Sequence, residues 1–180
     1  MIIGLCGAAG AGKNTVADIL VEDYGFTAVS FAEPIYRAVS EITGMSVEEL
    51  QDREIKEKPI AWLGSSPREL LQTLGTEWGR KMIHGNMWIV VALNRIGEIT
   101  GGGGDVVVTD VRFDNEAMAL TLAGGDIWQV TRPGVKGVAE HESENGISPD
   151  MIDVVINNDS SIQYLRKRVA HEMEFAAHVD

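Results

Sequence analysis

Apolar and polar residues fall into blocks along this chain, and the lengths of the blocks separate two kinds of element. Ile2 to Cys6 is a short unbroken apolar run closed by glycine, the pattern of a strand buried on both faces. Val16, Ile19, Leu20 and Tyr24 then recur at helical spacing. Four further runs read as strands: Thr27 to Phe31, Asp105 to Asp110, Asp126 to Thr131 and Ile152 to Asn157. From Glu33 to Ile99 no strand pattern occurs. That stretch holds "EPIYRAVSEI", with Pro34 suited to a first helical position, and "SPRELLQTLGTEWGRKMI", where Leu70, Leu71, Leu74 and Trp78 line one helical face. "GGGG" at 101–104 predicts a flexible turn into the third strand. Strands alternating with helices predict an α/β domain: a five-stranded parallel sheet with helices on both faces, interrupted at 33–99 by a helical insertion.

The connection after the first strand changes the picture from fold to chemistry. "GLCGAAGAGKNT" matches the phosphate-cradling pattern G-x-x-x-x-G-K-[ST] from Gly7 through Gly12 and Lys13, with Asn14 where Ser or Thr is expected. Gly10 adds a third glycine inside the loop. Such a loop turns successive backbone N–H groups toward phosphate oxygens, and the following helix adds its positive N-terminal end. Lys13 is placed to reach the terminal phosphates. Asn14 is an unusual magnesium ligand, and Thr15 supplies a hydroxyl one residue later.

Composition narrows the partners. In 180 residues, 15 Lys+Arg stand against 27 Asp+Glu, a formal net charge of -12. A surface so acidic excludes nucleic acid or an anionic membrane as partner without a basic patch, and "LRKR" at 165–168 reads instead as one turn of a terminal helix. Hydrophobic residues at 44% argue against disorder. The single cysteine, Cys6, excludes an intrachain disulfide and reads as a buried small residue. "MIIGLCGAAG" lacks the basic start of a signal peptide, and no apolar run has the length of a membrane span. The expectation is a soluble cytoplasmic protein; a homodimer is left open.

If the ligand is a polyanion, a few placed groups must hold it. Asp110 ends the third strand, where a carboxylate either holds the water shell of Mg²⁺ or caps the next helix. Asp114 and Glu116 are less well placed. Arg112 either faces an acceptor phosphate or pairs with a neighbouring acid. Arg68 and Arg80 lie in the helical insertion, where an acceptor-binding lobe is expected, and both Arg68 and Arg37 read equally as surface ion pairs. Arg132 ends the fourth strand, where a lid over 132–150 would begin. "HESEN" at 141–145 offers His141 and Glu144, too few ligands for a metal, and reads as a polar loop. Trp62, Trp78 and Trp88 either stack a base or pack inside the insertion.

"GAAGAGKNTVAD", "FAEPI", "SPRELLQTLGTEWGR", "MWI", "DVRFDNEA" and "TRPGV" together resemble the deoxynucleoside monophosphate kinases of tailed bacteriophages, small phosphate-loop kinases of the nucleoside monophosphate kinase group. Most of the chain takes part, and the "PREL-LQ-LGTE-GR" and "DVRF-NE" segments are far more specific than the loop. The resemblance implies ATP-dependent phosphorylation of a deoxynucleoside monophosphate with Mg²⁺, in the host cytoplasm if phage-encoded. It implies Lys13 and Thr15 on the donor phosphates, Arg68 and Arg80 on the acceptor side, and Arg132 in the lid. Loops reading G-K-x-T in that group place the Thr on a phosphate and hold the metal largely through water, so no direct protein ligand is expected, with Thr15 and Asp110 acting through water. Two other readings remain: a dephospho-coenzyme A or other small-metabolite kinase, and a non-catalytic nucleotide-binding module. Acceptor arginines in the insertion disfavour the first, and Arg80 with Arg132 disfavours the second.

Overall fold

A computed structural model describes residues 1–135 and 146–176 of the chain. It falls into two compact units, one built from Met1–Ser30 with Ala92–Asp180 and the other from Phe31–Val91.

The first unit is built on a parallel sheet. Its strands are β1 (Ile2–Cys6), β2 (Thr27–Val29), β3 (Val106–Val108), β4 (Asp126–Thr131) and β5 (Val154–Asn157). They lie in the order β2-β3-β1-β4-β5, and every pairing is parallel. Ile3 sits beside Val107 on one side and Asp126 on the other. All five residues of β1 are buried, as an unbroken apolar run requires of a strand covered on both faces. One face packs against α1 (Lys13–Tyr24) and α8 (Ile162–Ala176): Ile3, Leu5, Trp128 and Ile156 of the sheet meet Val16, Ile19, Leu20, Leu165 and Val169. On the other face Gly4 admits α7 (Asp114–Leu122). A Cβ there would lie 2.7 Å from Leu120 Cδ1 and 2.9 Å from Ile127 Cδ1. The chain leaves β1 toward β2 through α1 and leaves β3 toward β4 through α7. The connections after β1 and β3 therefore flank the point where strand order reverses, where open α/β sheets bind ligands.

The strand expectations differ from the structure only at their ends. β2 stops at Val29, β3 covers Val106–Val108 and β5 starts at Val154. Polar end residues leave the ladder to make other bonds: Ser30 and Asp110 bond each other, and Asp153 accepts from the N–H of Ile127 at 2.7 Å. Gly101 closes a helix rather than opening a turn, because α6 runs from Met87 to Gly101.

The second unit is helical. It holds α2 (Glu33–Thr43), α3 (Val47–Gln51), α4 (Arg53–Lys56), α5 (Pro67–Gln72), a π-helix over Thr73–Ile83 and the first residues of α6. Ser46 and Ser66 cap α3 and α5 by reciprocal bonds with Glu49 and Glu69. The expected single helix across 66–83 is thus an α-turn pair continued at π spacing, ending with His84 N–H on Gly79 O at 2.9 Å, an i→i+5 bond. The change of pitch resets which side chains face inward. Gly75, Thr76 and Gly79 are buried, and of the expected face Leu70, Leu71 and Leu74 are half-buried while Trp78 is exposed. Trp88 dictates this: its Nε1 donates to Gly75 O at 2.8 Å, and a Cβ on Gly79 would lie 2.6 Å from its ring. Trp88 is therefore a packing residue, while Trp62 stands exposed. Arg37 pairs with Glu33 one turn away, the surface ion pair that was its alternative.

Candidate active site

The loop between β1 and α1 has the strained backbone that phosphate binding needs. Gly7, Gly10 and Gly12 have φ of 126°, 83° and 107°, values that side-chain-bearing residues rarely adopt. Two of these glycines are also demanded by packing. A Cβ on Gly7 would lie 2.2 Å from Val130 O of β4, and one on Gly12 would lie 2.3 Å from Asn158 Nδ2. Gly10 stands in open space. Gly12 is the cap of α1 and offers no side-chain oxygen, so the first N–H groups of that helix are not capped from there.

Lys13 opens α1 and folds back over the loop, donating to Gly7 O at 2.7 Å and Ala8 O at 3.1 Å. Burial pushes its ammonium below the usual lysine range, and the Arg112 guanidinium pushes the same way; Cys6 and Asp110 act against both. Cys6 is buried at the end of β1, and burial pushes its thiol up to about 11, a poor nucleophile. Asn14 is exposed and Thr15 half-buried, at the second and third positions of α1.

The connection after β3 brings the opposite charge. Asp110 accepts from Ser30 Oγ at 2.8 Å. It does not cap a helix, since α7 begins at Asp114. Val111 N–H is tied to Leu5 O at 3.1 Å, which fixes this segment beside the strand that feeds the loop. Glu116 is 2% exposed, and its Oε2 accepts from the N–H groups of Arg112 at 2.7 Å and Phe113 at 3.0 Å. A buried carboxylate thus fixes the backbone that presents Arg112. Arg112 and Asp110 both act on the charge of Lys13, which links the expected lysine and carboxylate with an arginine of undecided role.

Arg132 is exposed directly after β4. Thr131 before it donates from Oγ1 to Asn157 Oδ1 at 2.7 Å, and Asn158 donates to Ala11 O at 2.9 Å. Farther on, Asp114 accepts from both the N–H and the hydroxyl of Ser148, at 2.8 and 2.6 Å, which lowers its carboxyl below the usual range. His141, Glu144 and most of the expected lid lie outside the described residues. Arg68 and Arg80 belong to the helical unit. Arg68 pairs with Glu57 at 2.6 Å; Arg80, late in the π-helix, donates to Gly85 O at 3.2 Å. Among the described residues no group of three or more His, Cys, Asp or Glu side chains forms a metal site.

Sequence reading missed three residues: Ser30, Glu116 as a brace for Arg112, and Asn158. Ser30 and Asn158 share one legible signal, a polar residue directly after an apolar strand, at the strand end where ligands gather.

The deoxynucleotide monophosphate kinase family profile matches residues 45–169, more than half of the chain. The chain belongs to that family. A protein of Acanthamoeba polyphaga mimivirus bearing the same description is 32% identical over 180 residues, covering 91% of each chain. The deoxynucleoside-5'-monophosphate kinase of Escherichia phage T5 is 28% identical, covering 67% of this chain and 71% of its own. Among solved structures, a dephospho-CoA kinase from Campylobacter jejuni aligns over 96% of this chain and 95% of its own with a TM-score of 0.54. At 13% identity that likeness extends to the fold alone. The family match includes the "PRELLQTLGTEWGR" and "DVRFDNEA" segments, and so reaches the arginines as well as part of the sheet. Among the described residues no helix is long and apolar enough to cross a membrane.

Proposed function

We propose that this kinase transfers the terminal phosphoryl group of ATP to a deoxynucleoside monophosphate, giving the diphosphate and ADP. An oxygen of the acceptor phosphate forms the new P–O bond as the bond from the terminal phosphorus to the bridging oxygen of ADP breaks. The observation that carries the reading is the glycine loop with Lys13 folded over it, donating to Gly7 O and Ala8 O, and with Asp110, oriented by Ser30, on the segment tied to the strand that feeds the loop. Lys13 is half-buried, the exposed Arg112 adds a like charge to its field, and an anion relieves that repulsion.

Each residue has a distinct part in this reading. The loop from Gly7 to Gly12 and the first turn of α1 present N–H groups to the donor phosphates. Lys13 turns from its loop carbonyls to the terminal phosphate, and Thr15 adds its hydroxyl. Asp110 and Thr15 would hold Mg²⁺ through water, and the ion would supply charge neutralisation for the donor phosphates. Arg112 faces the transferring group, Arg132 closes over it, and Arg68 and Arg80 hold the acceptor phosphate. Arg68 must exchange Glu57 for that phosphate. No general base is needed: the second pKa of a phosphate monoester is about 6, so the acceptor is already largely dianionic at neutral pH. We place this activity in the cytoplasm, the host's where the chain is virus-encoded.

The test incubates the protein with ATP, Mg²⁺ and each deoxynucleoside monophosphate in turn, with dephospho-CoA as a further arm, and separates the products. Diphosphate from at least one deoxynucleotide is the expected result. Product only from dephospho-CoA, or ATP binding without any transfer, overturns the reading.

A further inference from the structure

Asn158 reaches the phosphate loop from the far end of the fold. It follows β5 directly, and its backbone N–H donates to Thr131 O at 2.7 Å. Its side-chain Nδ2 donates to Ala11 O at 2.9 Å, across a sequence separation of 147 residues. The neighbouring Thr131–Asn157 bond ties the same two strand ends together at 2.7 Å, so the amide is held by the sheet. Gly12 completes the fit, because any Cβ there would strike that same Nδ2.

A peptide unit is planar and trans, so its C=O and N–H point in opposite directions. With Ala11 O drawn to Asn158, the N–H of Gly12 must point away from it. We propose that Asn158 is a positioning residue for the donor phosphates. It locks the Ala11–Gly12 peptide so that the Gly12 N–H faces the phosphates before they arrive. The loop then gives up less freedom on binding, which is how preorganised sites gain affinity. This rests on the reading that the loop binds ATP.

Asn158→Leu keeps the shape of the side chain and removes the donor; Asn158→Asp does the same and adds charge. Calorimetry with Mg²⁺-ATP, steady-state kinetics, and the Gly12 amide resonance of each protein are compared with wild type. The expected result is ATP affinity weakened about tenfold in both variants, the size of one lost hydrogen bond, with the acceptor KM unchanged. The Gly12 amide should lose its ATP-induced shift. If Asn158→Leu fails to fold, Asn158→Ala, which also lacks the donor, carries the same comparison and expects the same loss. ATP affinity within about twofold of wild type in the folded variants overturns the proposal. So does a loss confined to Asn158→Asp, which would be charge alone. Wild-type protein that binds no ATP overturns the reading of the loop itself, and this proposal with it.

Discussion

Ser30 Oγ and Asp110 Oδ2 are joined at 2.8 Å, a bond between the residues that follow β2 and β3. Thr109 N–H on Val29 O at 3.0 Å extends the ladder to the same place. A hydroxyl on one oxygen orients the carboxylate, and Lys13 lies in its field. Ser30→Ala should therefore lower kcat about tenfold through a misplaced Asp110, while Asp110→Asn lowers it by about a hundredfold or more. Kinetics at several Mg²⁺ concentrations check this. Equal losses in the two variants would assign Ser30 a direct role instead of a positioning one.

Lys13 and Arg112 should report on each other. Removing the guanidinium in Arg112→Ala removes a repulsion, so the Lys13 pKa should rise in the free protein. Adding ATP to wild type should raise it too, since an anion favours the charged form. Between the depressed folded value and the ordinary 10.5, the unfolded chain binds more protons than the folded one. Stability contributed by this group therefore rises with pH through that window. Lysine-selective nitrogen NMR reads the first two effects, and denaturant melts of wild type and Lys13→Met across that window read the third. A Lys13 resonance indifferent to Arg112→Ala would refute the coupling.

The variant letter of the loop should matter less than the residue after it. Thr15→Val keeps size and removes the hydroxyl, and a bond to a charged group is worth about 1.5–3 kcal/mol, so kcat/KM should fall roughly ten- to a hundredfold. Asn14 is exposed, and Asn14→Ser should be tolerated. If Asn14→Ala damages as much as Thr15→Val, with Mg²⁺ affinity falling in step, Asn14 is a metal ligand.

Arg80 and Arg132 belong to different units and should fail differently. Arg80→Ala should chiefly raise the acceptor KM through lost phosphate binding. Arg132→Ala should chiefly lower kcat, because a closing arginine acts on charge that develops during transfer. Varying ATP and acceptor separately distinguishes them, and two variants with wild-type constants would remove both clamps.

Gly79→Ala tests the π-helix. Its new Cβ would meet the Trp88 ring at 2.6 Å, inside contact distance of a large buried side chain. Overpacking of this kind costs about 1–3 kcal/mol, or a fall in Tm of a few degrees for each kcal/mol in a chain of this size. Gly85→Ala, where a Cβ meets nothing within 4 Å, is the control. Equal melting temperatures for the two variants would mean that Trp88 gives way freely.

Local pattern alone determined much of this protein. Short apolar-rich runs located all five strands, most clearly β1 and β3, whose residues are all buried and so have no polar side to show, and the glycine spacing with Lys13 located the loop. The strands' order, however, depends on which edges pair, and no single strand encodes its neighbour. The turn from α to π spacing after Gln72 was hidden for a similar reason. It goes with Trp88, several residues beyond that helix, whose ring needs the bare face of Gly79 and whose indole N–H needs the carbonyl of Gly75. The same holds at the site. Lys13 could be named from its motif, but Ser30, Glu116 and Asn158 act through bonds to residues distant in sequence or to backbone atoms. A sequence displays the type of each side chain; only the folded chain decides which backbone oxygen or carboxylate stands within 3 Å of it.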